Sequence, residues 1–515
     1  MMETESALEH NKRGAAHAMA GDYELALVEF THALALEPQE PSIYHNRALV
    51  HRSLNDYQQA LNDLDKALQL RPNYATAYYQ RGLTYYLLKK YRKAIHDFSM
   101  ALSMKMEDVV GPTVGRGLAY MALEEHEQAI LNLDRAIATN PTQAGIMGAY
   151  NSRGQAHIAL KHFDRAILDF EEALELAPDD VILLNRLGAA YTDSGHPQHS
   201  IQYYSRALAL QPDTAFTYNN RGEAYRLLKR YEEAVADFEQ ALALDGTLAL
   251  VYYNRGLAYT SLTEYQRALA DYQRALEFEP TLYSVYKDRA KIYQALKQYW
   301  DAIADYCKFL EQVPDDITSL LQRGLLYLSM DQARTAIEDF SRVIELEPEH
   351  AYAHSNRGEA YLRLPDIAKA KADYQRGWEL DESHAESGWM SQWIEMCLSM
   401  PDARMVDRLE HIAEADPHAY AASLCRAVAL WLRGDVEHAL TEIEQAIALK
   451  PEQWDAYFWQ GMLCASLQRD TEALTSFSQA LEAGIPPLLL APLHWLKQER
   501  PDFYSEHAVP WLKYQ

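Results

Sequence analysis

The 515-residue chain is poor in the features that mark catalytic chemistry. Its four cysteines, Cys307, Cys397, Cys425 and Cys464, fall in no CxxC spacing. That excludes the usual zinc ribbons and gives no disulfide framework, so reduced thiols in a cytoplasmic chain are the expectation. HExxH, a P-loop, GxGxxG after a strand and GxSxG are all missing, so no enzyme class is indicated. No cofactor or metal is expected either. His196-Pro197-Gln198-His199 comes nearest to a metal pair, but proline separates the two in a predicted inter-helix turn and no third ligand is placed. Positive charge is scarce, with 48 Lys and Arg against 74 Asp and Glu and a net charge of −26. This argues against nucleic acid and anionic membrane as partners and favours neutral or basic partner surfaces. Long apolar runs are lacking too: Ile485 to Leu496 is short and broken by three prolines, too little to cross a membrane. The opening Met-Met-Glu-Thr-Glu-Ser has acid and no apolar stretch, so no signal peptide is expected.

What the chain does have is repetition. Tyr218-Asn219-Asn220-Arg221-Gly222-Glu223-Ala224-Tyr225 is answered by Tyr252-Tyr253-Asn254-Arg255-Gly256-Leu257-Ala258-Tyr259. Tyr231, Ala234, Asp237, Phe238 and Ala241 are then answered by Tyr265, Ala268, Asp271, Tyr272 and Ala275, always 34 residues on. That is the period of a tetratricopeptide helix pair, and the stretch resembles the tetratricopeptide repeat family in its bacterial Asn-Arg-Gly form. The resemblance implies an all-α, right-handed α-solenoid superhelix of about 14 helix-turn-helix repeats with a C-terminal capping helix. The expected organisation is three repeats over 7–108, an irregular fourth over 109–146, seven over 147–384, a degenerate twelfth over 385–419, two more over 420–487, and a capping helix and tail over 488–515. Gly111, Pro112 and Gly115 should weaken or shorten the first helix of the fourth repeat, making 107–148 a candidate bend.

The repeated letters divide by task. Glycine at position 8 of the repeat and alanine at positions 20 and 27 allow close helix approach, while proline at position 32 ends the second helix. Tyrosines fill the remaining gaps, which accounts for much of a tyrosine count of 35. Position 7 is arginine in most repeats and position 23 is acidic, as in Arg221 with Asp237 and Arg255 with Asp271. Where the arginine is lost the acid goes too, Leu187 with Tyr203 and Gln460 with Ser476; Arg116, facing Asn132, is the exception. A ladder of structural Arg–carboxylate staples between paired helices is one reading; an arginine-lined anion groove is the other.

The family lines its concave groove with the first helix of each pair, where position 6 holds Asn46, Asn220, Asn254 and Asn356. These match an asparagine ladder like that in the superhelical repeats of O-GlcNAc transferase. An amide offers both a donor and an acceptor to a peptide backbone. Asn219 and Tyr253 are their groove neighbours. The carboxylate clamp of chaperone cofactors is not matched, since Leu8, Lys12, Asn46, Thr76 and Gln80 depart from it. Eight of the nine tryptophans follow residue 377; they are either bulky core or an exposed interface. The expected function is a non-enzymatic protein-interaction scaffold holding an extended peptide or partner domain in the groove. The alternative is a regulatory or assembly subunit docking through the tryptophan-rich C-terminal region.

Overall fold

The computed structural model describes residues 6–104, 109–139, 146–402 and 404–512. Among these, all regular structure is helical, and the chain divides into two compact units between Phe278 and Glu279. Each unit is an α-solenoid in which successive helices pack as antiparallel pairs. In the first unit Ala215–Leu227 pairs with Tyr231–Leu244, and Ala249–Ser261 with Tyr265–Phe278.

The pairing follows from residue size. A Cβ added to Gly14, Gly82, Gly154, Gly222 or Gly256 would lie 2.6–2.7 Å from an atom of the aromatic ring sixteen residues later, such as Phe238 or Tyr272. That gap is closed to any larger residue. Ala234, Ala241, Ala268 and Ala275 on the second helices are fully buried. The turn within each pair needs one residue in the left-handed region. Gly21 and Gly195 fill it at φ 87° and 82°, but Asn55, Lys89, Lys229 and Thr263 hold the same place at φ 57–61°.

The irregular fourth repeat is better formed than its composition suggests. Val110–Met121 is a helix of 12 residues, with Pro112 in the first turn, where a missing N–H costs nothing. Gly115 serves packing, because the Phe98 ring of the preceding pair occupies its Cβ space at 2.8 Å. The candidate bend lies partly outside the described residues, at 105–108 and 140–145; between them, Val110–Met121 pairs with His126–Thr139.

In the second unit the degenerate pair is the centre of the core. Ala385–Leu398 is buried at five consecutive positions, Ser387 to Met390 and Ser391, leaving it no solvent face there. Trp389 packs edge-on against Trp459 at 6.2 Å, and Trp393 packs at an angle against Trp454, Phe458 and Trp459 at 5.0–5.8 Å. A helix covered on every side needs bulk where the repeat pattern asks for small or polar residues, so the pattern is lost. This corrects the exposed-interface reading of the tryptophans. Trp389, Trp393, Trp431 and Trp459 are buried, Trp378, Trp454, Trp495 and Trp511 are partly so, and the exposed one is Trp300. The closing stretch also differs from the expected capping helix at the start of 488–515. It is 3₁₀ from Pro487 to Trp495 and α-helical from Leu496 to Glu499, because Pro492 cannot continue an α-helix. Leu489, Leu490, Leu493 and Leu496 are buried beneath it.

Candidate functional site

Arg221 donates from Nε and Nη2 to the two oxygens of Asp237, both at 2.7 Å. Arg255 and Asp271 repeat the geometry at 2.7 Å. The Asp237 hydrogen bond holds the Arg221 guanidinium above its ordinary range, against the opposing effect of burial. The third nitrogen reaches further: Arg221 Nη1 meets Ser205 Oγ at 3.1 Å, Arg357 Nη1 meets Ser341 Oγ at 3.1 Å, and Arg81 Nη1 meets Asp65 at 2.6 Å. Each such arginine therefore ties its own pair to the second helix of the pair before. Nothing in the 16-residue spacing announced that second reach.

The asparagines are drawn together differently from an open ladder. Asn254 Nδ2 donates to Asn219 Oδ1 at 3.0 Å, and Asn219 Nδ2 donates to Asn220 Oδ1 at 3.3 Å. Asn219 and Asn254 are buried, so their amides bond to each other across the repeat junction. Asn46 Nδ2 donates in the same way to Asn11 Oδ1 at 3.1 Å. Asn220 and Tyr253 are half-buried, and the Tyr253 ring lies 6.0 Å from that of Tyr272. Asn219 and Asn254, expected in the groove, thus already bond to each other. A buried amide left without partners would be costly, so these two serve the join. Among the described residues no group of three or more His, Cys, Asp or Glu is placed to hold a metal; His196 bonds to Ser194 Oγ at 3.1 Å and the His199 ring stacks on Tyr191 at 5.3 Å.

The second unit contains a cleft of about 780 Å³, lined by first helices of four successive pairs. Ala351–Arg363 supplies Tyr352, Asn356 and Glu359; Ala385–Leu398 supplies Glu386 and Trp389; Tyr420 and then Trp454 with Asp455 complete the wall. Asn356 is therefore the one predicted asparagine that borders it, its Nδ2 donating to the Tyr352 carbonyl at 2.7 Å. Glu359 accepts from the Tyr374 hydroxyl at 2.8 Å and from Arg363 Nε at 3.3 Å. Lys450 reaches Glu386 at 3.1 Å.

Asp455 is only 5% exposed. The Tyr420 hydroxyl donates to its Oδ1, Trp389 Nε1 donates to its Oδ2 at 3.1 Å, and the Ala456 N–H donates to Oδ1 at 3.1 Å. Burial pushes its carboxyl above the ordinary range, against these hydrogen bonds. Sequence reasoning passed over Asp455: among 74 acidic residues nothing singles it out. An aspartate beside Trp454, where several repeats begin with alanine, is the nearest thing to a signal.

Family models described as tetratricopeptide repeats match residues 75–105, 148–180 and 249–282, residues 179–246, and residues 321–383 and 433–486. A model described as a TPR repeat matches 50–89. No curated protein matches the chain. Solved structures do. The crystal structure of MamA is 26% identical, covering 31% of this chain and 94% of that one, with a TM-score of 0.29. YrrB, described as a TPR protein with an unusual peptide-binding site, is 26% identical over 36% of this chain and 95% of its own, with a TM-score of 0.33. Yeast Tom70 is 18% identical, covering 98% of this chain and 99% of that one, with a TM-score of 0.32.

Proposed function

The chain belongs to the tetratricopeptide repeat family, whose arrays are protein-interaction scaffolds, and from that premise we propose that it holds an extended peptide in the cleft of its second unit. The observation that carries this is the cleft itself, about 780 Å³, with Tyr352, Tyr420 and Trp454 on its wall and carboxylates and an amide among them. Aromatic walls supply contact area, and a few placed polar groups fix orientation. The half-buried amides of Asn46 and Asn220 are secondary contacts in the first unit. Arg221–Asp237 and Arg255–Asp271 act as staples in this reading, because both partners of each pair are already engaged with each other. No helix among the described residues is long and apolar enough to cross a membrane; we assign the protein to the cytoplasm on its free thiols and acidic surface.

Panning a dodecapeptide display library on the full chain tests the reading. Selected peptides should bind Tyr352→Ala/Asn356→Ala at least about tenfold more weakly, the effect of losing an aromatic anchor. Asn220→Ala should weaken them less. Equal binding to wild type and the double variant would remove the cleft as the seat.

A further inference from the structure

We propose that the cleft of the second unit seats a lysine or arginine side chain of the bound peptide, with Asp455 as its counter-charge and Tyr420 and Trp454 as its walls. The inference rests on the peptide-binding reading above and specifies what that cleft selects. Among the described residues Asp455 has no ion-pair partner. Its three donors, the Tyr420 hydroxyl, the Trp389 indole and the Ala456 amide, are all neutral. Asp455 borders the cleft. A buried anion without a cation is costly and is relieved by pairing.

The cations already present are committed elsewhere. Arg363 donates to the Leu328 carbonyl at 2.6 Å and to Glu359 at 3.3 Å. Lys450 bonds to Glu386 at 3.1 Å. Its Nζ also lies 5.2 Å from the Tyr420 ring centre, so the wall is already a surface on which a cation rests. Indole and phenol faces attract such groups further once water is excluded. Glu359 and Glu386 border the same cleft, and a chain of net charge −26 draws basic segments toward it.

The test is calorimetric titration of the full chain with capped Ala-Ala-Arg-Ala-Ala and its citrulline counterpart, which differ in charge but hardly in shape. Wild type should prefer arginine by about tenfold or more, a preference that weakens with added salt. Asp455→Asn should reduce that preference to about twofold without changing citrulline affinity. Tyr420→Phe should keep it, because it removes a neutral donor and leaves the carboxylate; this variant decides the matter if Asp455→Asn does not fold. Equal affinities in wild type, or a preference that survives Asp455→Asn, would overturn the proposal. So would competition by spermidine as strong as by the arginine peptide, which would mark a small-amine site. If display-selected peptides depend on Tyr352 and Asn356 while charge has no effect, this inference fails and the scaffold reading stands.

Discussion

Arg116 donates from Nε to Asn132 Oδ1 at 2.6 Å, where neighbouring repeats face the same arginine with a carboxylate. Asn132 gives its own N–H to the Gln128 carbonyl at 2.7 Å, and Arg116 Nη1 reaches Ser99 Oγ at 3.1 Å. The site keeps the geometry of a staple and lacks its charge, and burial draws the Arg116 guanidinium below its ordinary range. Asn132→Asp should therefore stabilise the first unit by about 1 kcal/mol, the difference between a neutral and a charge-assisted hydrogen bond. Urea unfolding checks this; a lower midpoint would show that burying the carboxylate outweighs the pairing.

Arg255 and Asp271 should be strongly non-additive. The Asp271 side chain is nearly buried and that of Arg255 is 18% exposed, so removing either leaves the other without its partner. A double-mutant cycle with Arg255→Ala and Asp271→Ala should give a coupling of about 1–3 kcal/mol. Additive losses would dismiss the staple.

Thr263 occupies the left-handed turn position at φ 60°, which a β-branched residue adopts only at a cost of about 1–2 kcal/mol. Thr263→Gly should raise the melting temperature, with a gain of about 0.5–1 kcal/mol once the extra freedom of glycine in the unfolded chain is subtracted. Lys229→Gly, at φ 59°, should gain less because lysine is unbranched at Cβ. A loss at Thr263 would mean that its side chain makes contacts worth more than the strain.

His157 predicts a pH dependence. It is buried, its Nε2 4.0 Å from Asp169 Oδ2, and burial lowers its pKa from the ordinary 6.5 despite the attraction of Asp169. Arg153, Arg165 and His162 add to the lowering. The folded chain thus resists a proton that the unfolded chain accepts, so stability is full above about pH 6.5 and falls as pH drops through that value. His157→Tyr, matching Tyr225 and Tyr259 at the same repeat position, should lose less melting temperature than wild type between about pH 7.5 and 5.5. An identical loss in both would place the acid sensitivity elsewhere.

Much of the fold could be read from the residues because each repeat writes it again. Gly256 and Tyr272, like Arg255 and Asp271, meet sixteen residues apart within one helix pair, and such contacts show up as spacing. The turn position was harder to read, since Lys229 and Thr263 carry no cue of a left-handed backbone where Gly195 does. Asn219 and Asn254 looked like groove residues by their letters, yet their burial depends on how closely neighbouring repeats approach. The cleft was the least legible part, because Trp389 and Asp455 stand 66 residues apart and Trp389 belongs to a repeat that has lost the pattern.

The sequence by itself determined the helix pair, its period, the small residues that let helices touch and the partners of the arginines, all of them contacts within a few dozen residues. Only the tertiary structure decided that Trp389, Trp393, Trp431 and Trp459 are buried, that two asparagines bond to each other across a junction, and that Asp455 lies under two aromatic rings beside a cleft. Burial and enclosure are set by neighbours brought in from other repeats, and no residue carries that information alone.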